Sequence, residues 1–462
     1  SSGYYVFFFL LDANNSMGAN VIIEWPSESS NLYCAFTGCA GEDVFTFDDG
    51  LSHQSDFGFQ CDTLPECPIM EVDIATWQIR PCSTSYYVVT YRNIGAEPAT
   101  PATVDVTIDP SLVVTTSSIP WTAVNGNVYT FDLGNLNPGQ GGTFQINAVA
   151  PCSDPAGTTY CVEAHAYPDT CSLPPGPDWD GSQIVVTAVC DGDNVIFTIQ
   201  NVGSGDMLQA LDYVVAEDNV MLMMGQFQLA SGQSQQVNLP ADGSLFRLEA
   251  DQAPGFPGLN LPIAFIQGCG GNGTNSLGFV NQYALGDQET WLDIFCLESV
   301  NSYDPNDKTG FPYGYGNQHF IEQNIDLEYL IRFQNTGTAP ALNVEIRDPA
   351  AVQWLDPATV RPGASSHPYT WNIEGSGVLV FRFADINLPD SSSNPEASQG
   401  FVKFTVSQRP DVPLNTVIEN TAGIYFDNNE AIQTNTSWHT IGKDFIESAS
   451  SATGEAPGAR VQ

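Results

Sequence analysis

The chain has 462 residues, 53 acidic against 12 basic side chains, and a formal net charge of −41. Such a surface repels phosphate backbones and anionic lipid headgroups, so it argues against nucleic acid or an acidic membrane as partner and suits a medium rich in salt or divalent cations. Only 14% of residues are charged, while 41 Gly and 31 Pro punctuate the chain; this composition disfavours long helices.

In chain order, "SSGYYVFFFLLDANNS" comes first. It is apolar but lacks an initiating Met and a basic region, the first basic residue being Arg80. The run is also too short to span a bilayer, so it reads as a buried β-strand and not as a signal peptide. The chain is therefore expected to be a piece of something longer. Residues 1–68 hold strand-like runs ("VIIEW", "DVFTF") and four cysteines, and read as a partial or small disulfide-stapled β module. Eleven cysteines in loose clusters suggest an oxidising, extracellular compartment. Zinc is the rival reading, disfavoured because no C-x2-C pair occurs and His is scarce.

Three later segments resemble one another: "YYVVTYRNIGAEPATPATVDVTI" from Tyr86, "NVIFTIQNVGSGDMLQALDYVV" from Asn194 and "LEYLIRFQNTGTAPALNVEIRD" from Leu327. Each alternates apolar and polar residues, reaches N-x-G at Asn93, Asn201 or Asn335, then resumes a second run. Period-two alternation buries one face of a strand. Asn and Gly tolerate positive φ, which predicts a chain reversal at each N-x-G. The spacing of the three is that of an Ig-like sandwich of about seven strands. The fold class is therefore all-β, with tandem Ig-like antiparallel β-sandwich domains in an extended array. Residues 69–186 and 187–298 form the first two sandwiches, with a Cys190–Cys269 bridge expected in the second. Residues 299–442 form the third, and 443–462 read as a flexible linker.

The third unit carries further motifs: "YDPNDK", "WLDPATV", "SSH", "INLPDSSSNPEASQGFVKFTV" and "IENTAGIYFDNNEAIQTN". Over residues 301–442 it resembles the conserved β-sandwich of unknown function that closes many large secreted proteins of Bacteroidota. There it lies just before the C-terminal signal read by the type IX secretion system. The first two units resemble the Ig-like repeats of the same surface proteins more weakly. The resemblance implies an extracellular or cell-surface location. It also places Gln462 near a maturation cleavage point, since the sorting signal itself is not in this chain.

"DPND" offers hard oxygen donors of the kind Ca²⁺ takes, at Asp304, Asn306 and Asp307. "YFDNNE" adds Asp427, Asn428, Asn429 and Glu430, and an entry loop and a late loop of one sandwich can meet at one pole. Asp304, Asn306, Asp307, Asp427 and Asn429 are thus the candidate calcium ligands. The competing reading makes "DPND" a domain-start hinge of Asx-turns with Pro305 fixing its direction. "GCGGNG" at Gly268 matches a dinucleotide fingerprint formally, but no helical sequence follows it. The five His residues are scattered, and no H-E-x-x-H, G-x-S-x-G or Walker loop occurs, so no catalytic residue is assigned and the chain is not expected to be an enzyme.

Two functional classes follow. The first is a non-catalytic structural or adhesive protein: the C-terminal part of a surface adhesin, or a subunit of a filament or appendage for gliding, attachment or prey capture. Its partners would be neighbouring copies or domains of one surface assembly, surface glycans or other cells, with no nucleic acid and no membrane insertion. The alternatives are the display stem of a secreted enzyme whose catalytic domain lies upstream, or a carbohydrate-binding module.

Overall fold

The computed structural model describes short strands between residues 20 and 62, and residues 67–448 apart from 172–174, 260, 271–276, 301–305, 376 and 444. Residues 1–64 form one compact unit and residues 65–462 a second. In the first, Asn20–Ile22 pairs with Val44–Thr46, and Ala35–Phe36 with Cys61–Asp62, both antiparallel. Among the described residues there is no α-helix, only strands and three 3-10 turns.

The second unit holds three β-sandwiches. Thr84–Asn93 and Asn194–Asn201 show the alternation expected of half-buried strands, with buried residues at every second position along most of their length. The first sandwich packs a four-stranded sheet (Met70–Ala75, Thr84–Asn93, Gly141–Val149, Val113–Ser117) on a five-stranded one. That five-stranded sheet contains Ala99–Thr107, Ala123–Asn125, Val128–Leu136 and Thr159–Tyr167, and its edge strand is Leu292–Glu298. The sequence reading ended the second sandwich at 298. In the structure Leu292–Glu298 runs antiparallel to Thr159–Tyr167, opposing Cys296 to Cys161, and a disulfide joins the two. The second sandwich, spanning strands Ile184–Asp191 to Ile263–Ile266, is thus inserted before the last strand of the first. The Cys190–Cys269 bridge is formed inside it, and Cys67–Cys171 and Cys82–Cys152 close the first.

The third sandwich, from Asp307 to Ile441, packs directly on the first. Its strand Asp326–Gln334 does not alternate: Tyr329 to Phe333 are all buried. One face fills the third sandwich's own core, while Leu330, with Ala364 and Phe401, joins the core of the first. The sequence places the sandwiches in a row; the structure nests the second in the first and docks the third on it. Beyond residue 442, where a linker was expected, Phe445 stacks on Phe320 (5.6 Å between centroids), and Glu447–Ser448 adds in parallel to Val220–Met221.

The N-x-G motif has a different physical basis from the one expected. None of its Asn or Gly residues has positive φ. Instead each Asn is buried and cross-links three pieces of chain. Asn93 Nδ2 donates to the carbonyls of Glu97 and Leu136, and its Oδ1 accepts from Gly95 N–H. Asn201 does the same with Gly205, Leu229 and Gly203, and Asn335 with Ala339, Leu388 and Gly337. The side chain is an internal Asx-turn that also pins a distant loop. The first two glycines are required by close approach, since a Cβ on Gly95 would stand 2.3 Å from Ile69 N and one on Gly203 2.4 Å from Gly181 O.

Candidate functional site

Where the first and third sandwiches meet, a lysine is enclosed by acids. Lys403 lies mid-way along Gln399–Ser407, a nearly continuous buried strand, and is fully buried. Its Nζ donates to Asp293 Oδ2 at 2.8 Å and Oδ1 at 3.1 Å and to the Ile74 carbonyl at 3.1 Å, and it pairs with Glu328 at 2.9 Å and Asp73 at 3.2 Å. Asp73 comes from the first strand of the first sandwich, Asp293 from its returning last strand, and Glu328 and Lys403 from the third sandwich. Asp73 Oδ1 also accepts from Ala364 N–H across the junction at 2.7 Å. Three carboxylates thus face one ammonium in a site shielded from water.

The electrostatics follow from that imbalance. Burial, opposed by Lys403 and reinforced by Asp293, raises the Asp73 carboxyl to about 7. Burial likewise lifts Glu328 well above the usual carboxylate range, and Asp287 to about 6. Burial alone would lower Lys403, but Asp293, Asp73 and Glu328 more than offset it and hold the ammonium well above its ordinary value. The carboxylate oxygens of Asp73, Asp293 and Glu328 lie within 4.8 Å of one another, as metal ligands would. Lys403 occupies the position a cation would take.

Two depressions border this junction. One of about 110 Å³ is lined by acids including Glu71, Asp287, Asp293 and Glu328. The other, about 560 Å³, runs between the two sandwiches and is lined by Tyr91, Arg92, Phe144, His367 and Tyr369 among others. Its size and mixed aromatic and polar walls suit a small ligand. Ser366 Oγ lies 2.8 Å from His367 Nδ1, but the same hydroxyl accepts from Phe401 N–H, so it is held in the strand ladder.

The proposed calcium ligands have other partners. Asp304 lies outside the described residues. Asn306 Oδ1 accepts from Gln334 N–H at 3.2 Å. Asp307 receives a two-pronged contact from Arg332, at 2.8 Å from Nε and 2.7 Å from Nη2, and Arg332 also donates to the Trp77 carbonyl of the first sandwich. Asp427, at φ +53°, caps the backbone N–H groups of Leu342 and Asn343 at 2.9 and 2.8 Å. Asn429 is exposed and its N–H donates to the Phe426 carbonyl. Asp307 and Lys308 of "DPNDK" therefore open the first strand of the third sandwich. Its lysine, Lys308, is fully buried against Asp348. Sequence reasoning assigned no role to Lys308, Arg332 or Lys403. The available signal was scarcity: with 12 basic residues in the chain, a lysine inside an apolar strand run is unusual.

Comparison with known proteins matches residues 304–440 to a domain of unknown function, DUF7619. No curated protein matches the chain. Among solved structures, the chain is similar to the collagen adhesin CNA from S. aureus, at 10% identity over 57% of this chain and 93% of that one, with a TM-score of 0.21. It is also similar to the Enterococcus faecalis surface protein ACE, whose structure is described as binding its ligands by a collagen hug, at 10% identity over 84% of this chain and 100% of that one, TM-score 0.22.

Proposed function

We propose that the chain is a non-catalytic structural and adhesive part of an extracellular surface protein, exported by the type IX route. The observation that carries this reading is the way the sandwiches are joined. The second is nested in the first, and the first and third share a core around Lys403. Disulfides close the first and second. Such a block resists unfolding and proteolysis and suits mechanical attachment outside the cell. The resemblance of residues 301–442 to a domain next to type IX sorting signals supports the export route. The groove between Tyr91 and Tyr369 is the surface on which this reading places contact with a glycan or a neighbouring subunit.

The test is made in the source organism. Antibody against residues 65–462 should label intact cells, deletion of the gene should reduce attachment or remove a surface appendage, and loss of the type IX translocon should trap the protein in the periplasm. Secretion unaffected by that loss would overturn the export route. An upstream catalytic domain whose activity accounts for the deletion phenotype would make the block a display stem.

A further inference from the structure

The core of the third sandwich contains a lysine and an aspartate with fully buried side chains: Lys308 on Asp307–Phe311 and Asp348 on Val344–Pro349. The amine and Asp348 Oδ2 are in direct contact. Lys308 Nζ stands 4.2 Å from the centroid of the Tyr329 ring and 5.3 Å from that of Phe404, so aromatic walls enclose it. Burial lowers the lysine to about 8, against the opposing pull of Asp348.

A third polar group belongs to the same core. Asn420 ends the strand Val417–Asn420 and is 2% exposed. Its amide lies beside the Tyr329 phenol, which also feels the Asp348 charge, yet neither the amide nor the phenol completes a hydrogen bond of normal geometry. One short segment brings the two backbones together: the Asn435 side chain accepts from Lys308 N–H and donates to the Lys308 carbonyl, and Asn420 pairs with Ser437. Four atoms are left buried without hydrogen bonds here: Asp348 Oδ1, Asn420 Oδ1, Asn420 Nδ2 and the Tyr329 hydroxyl. Groups left unmade in one dry core are costly, and four together call for an explanation.

We propose that Lys308 Nζ and Asn420 Cγ are joined by an intramolecular amide bond, formed by the folded chain itself with Asp348 as proton carrier. Within the buried pair the ammonium passes a proton to the Asp348 carboxylate, leaving a neutral amine beside a carboxylic acid. The amine attacks Asn420 Cγ while the acid proton polarises the amide oxygen. A second proton moves from the attacking nitrogen to Nδ2, the Cγ–Nδ2 bond breaks, and ammonia leaves. Charge and atoms balance: the ion pair and primary amide become a secondary amide, a neutral carboxylic acid and ammonia, with no oxidant or cofactor. The product removes the three unmade hydrogen bonds of Asp348 and Asn420. The Asp348 acid donates to the new carbonyl, the new N–H donates to the other Asp348 oxygen, and Nδ2 has departed. Joining Lys308 to Asp348 instead would leave Asn420 stranded. The bond does not depend on the attachment reading above.

The experiment is intact-mass spectrometry of the full chain after disulfide reduction and thiol alkylation. The wild type should be lighter than its sequence by one ammonia. Trypsin should fail to cut after Lys308, and tandem spectra should show one branched peptide linking residues 308 and 420. Asp348→Ala and Asn420→Ala should each restore the full sequence mass. An unaltered wild-type mass overturns the proposal, as does a chain lighter by one water with Lys308 joined to Asp348. The wild-type measurement decides the matter even if neither variant folds.

Discussion

At the scale of single residues, the three asparagines and Lys403 show what polar groups do inside these sandwiches. Replacing Asn335 by Asp would turn the donor facing the Ala339 and Leu388 carbonyls into an acceptor, stranding both. We expect Asn335→Asp to destabilise the third sandwich by about 2–4 kcal/mol, read as a lower urea midpoint, and Asn93→Asp to do the same in the first. No loss would mean that the asparagine is not what pins the loop. Removing Lys403 leaves its carboxylates facing one another, so Lys403→Met should cost roughly 3–5 kcal/mol at neutral pH. The cluster also predicts a pH dependence. Asp73 is raised from 3.8 to about 7, so between those values the folded chain holds a proton that the unfolded chain has released. Its contribution is complete below about pH 4 and declines as pH rises toward 7. Urea titrations from pH 4 to 7.5 should show this decline, and Asp73→Asn should make it shallower by roughly 1–3 kcal/mol over that range. Identical slopes for variant and wild type would exclude Asp73 as the group involved. The N-x-G positions were visible in the sequence as a repeat, but their role was not. A buried amide reaching a third loop looks the same in sequence as a residue in a turn.

At the scale of strands, alternation located most of the sandwich elements, because burying one face and wetting the other leaves a period of two. It failed where a strand is covered on both faces. In sequence "LEYLIRF" is taken as alternating and "GFVKF" only as part of a longer motif, whereas the structure buries both faces of each strand, the second against the first sandwich. The returning strand "LDIFCLE" was also hidden. It has the pattern of any half-buried strand, and nothing local states which sheet it will join. Its pairing with Thr159–Tyr167 and the Cys161–Cys296 bridge make it a closing element of the first sandwich. Cys161→Ser with Cys296→Ser should lower the thermal midpoint of the first sandwich by several degrees, corresponding to about 2–5 kcal/mol, while the Cys190–Cys269 pair remains oxidised. A midpoint unchanged within error would show that strand pairing alone secures the edge.

For the whole molecule, the charge of −41 is the dominant fact legible without any coordinates. Three of the 12 basic residues, Lys308, Arg332 and Lys403, are spent inside against acidic partners, and the surface stays strongly negative. Added monovalent salt, from about 10 to 150 mM, should therefore raise the thermal midpoint by screening self-repulsion, even though it weakens surface ion pairs. A falling midpoint would show that surface pairs such as Arg382 with Glu345 outweigh the repulsion. Because Asp307 and Asp427 already have protein partners, EDTA should leave the midpoint of the third sandwich unchanged; a drop of several degrees would show that a cation binds the folded chain.

The nesting of one sandwich inside another sets an order of events during synthesis. The chain is delivered from its N-terminal end, so Thr159–Tyr167 emerges long before the strand that covers its edge, and the thiol of Cys161 must wait for a partner 135 residues downstream. Until then the nascent first sandwich offers an open ladder and a free sulfhydryl to any passing chain. A chaperone or oxidoreductase that guards that interval would matter more to the yield of this protein than to one whose sandwiches close in sequence.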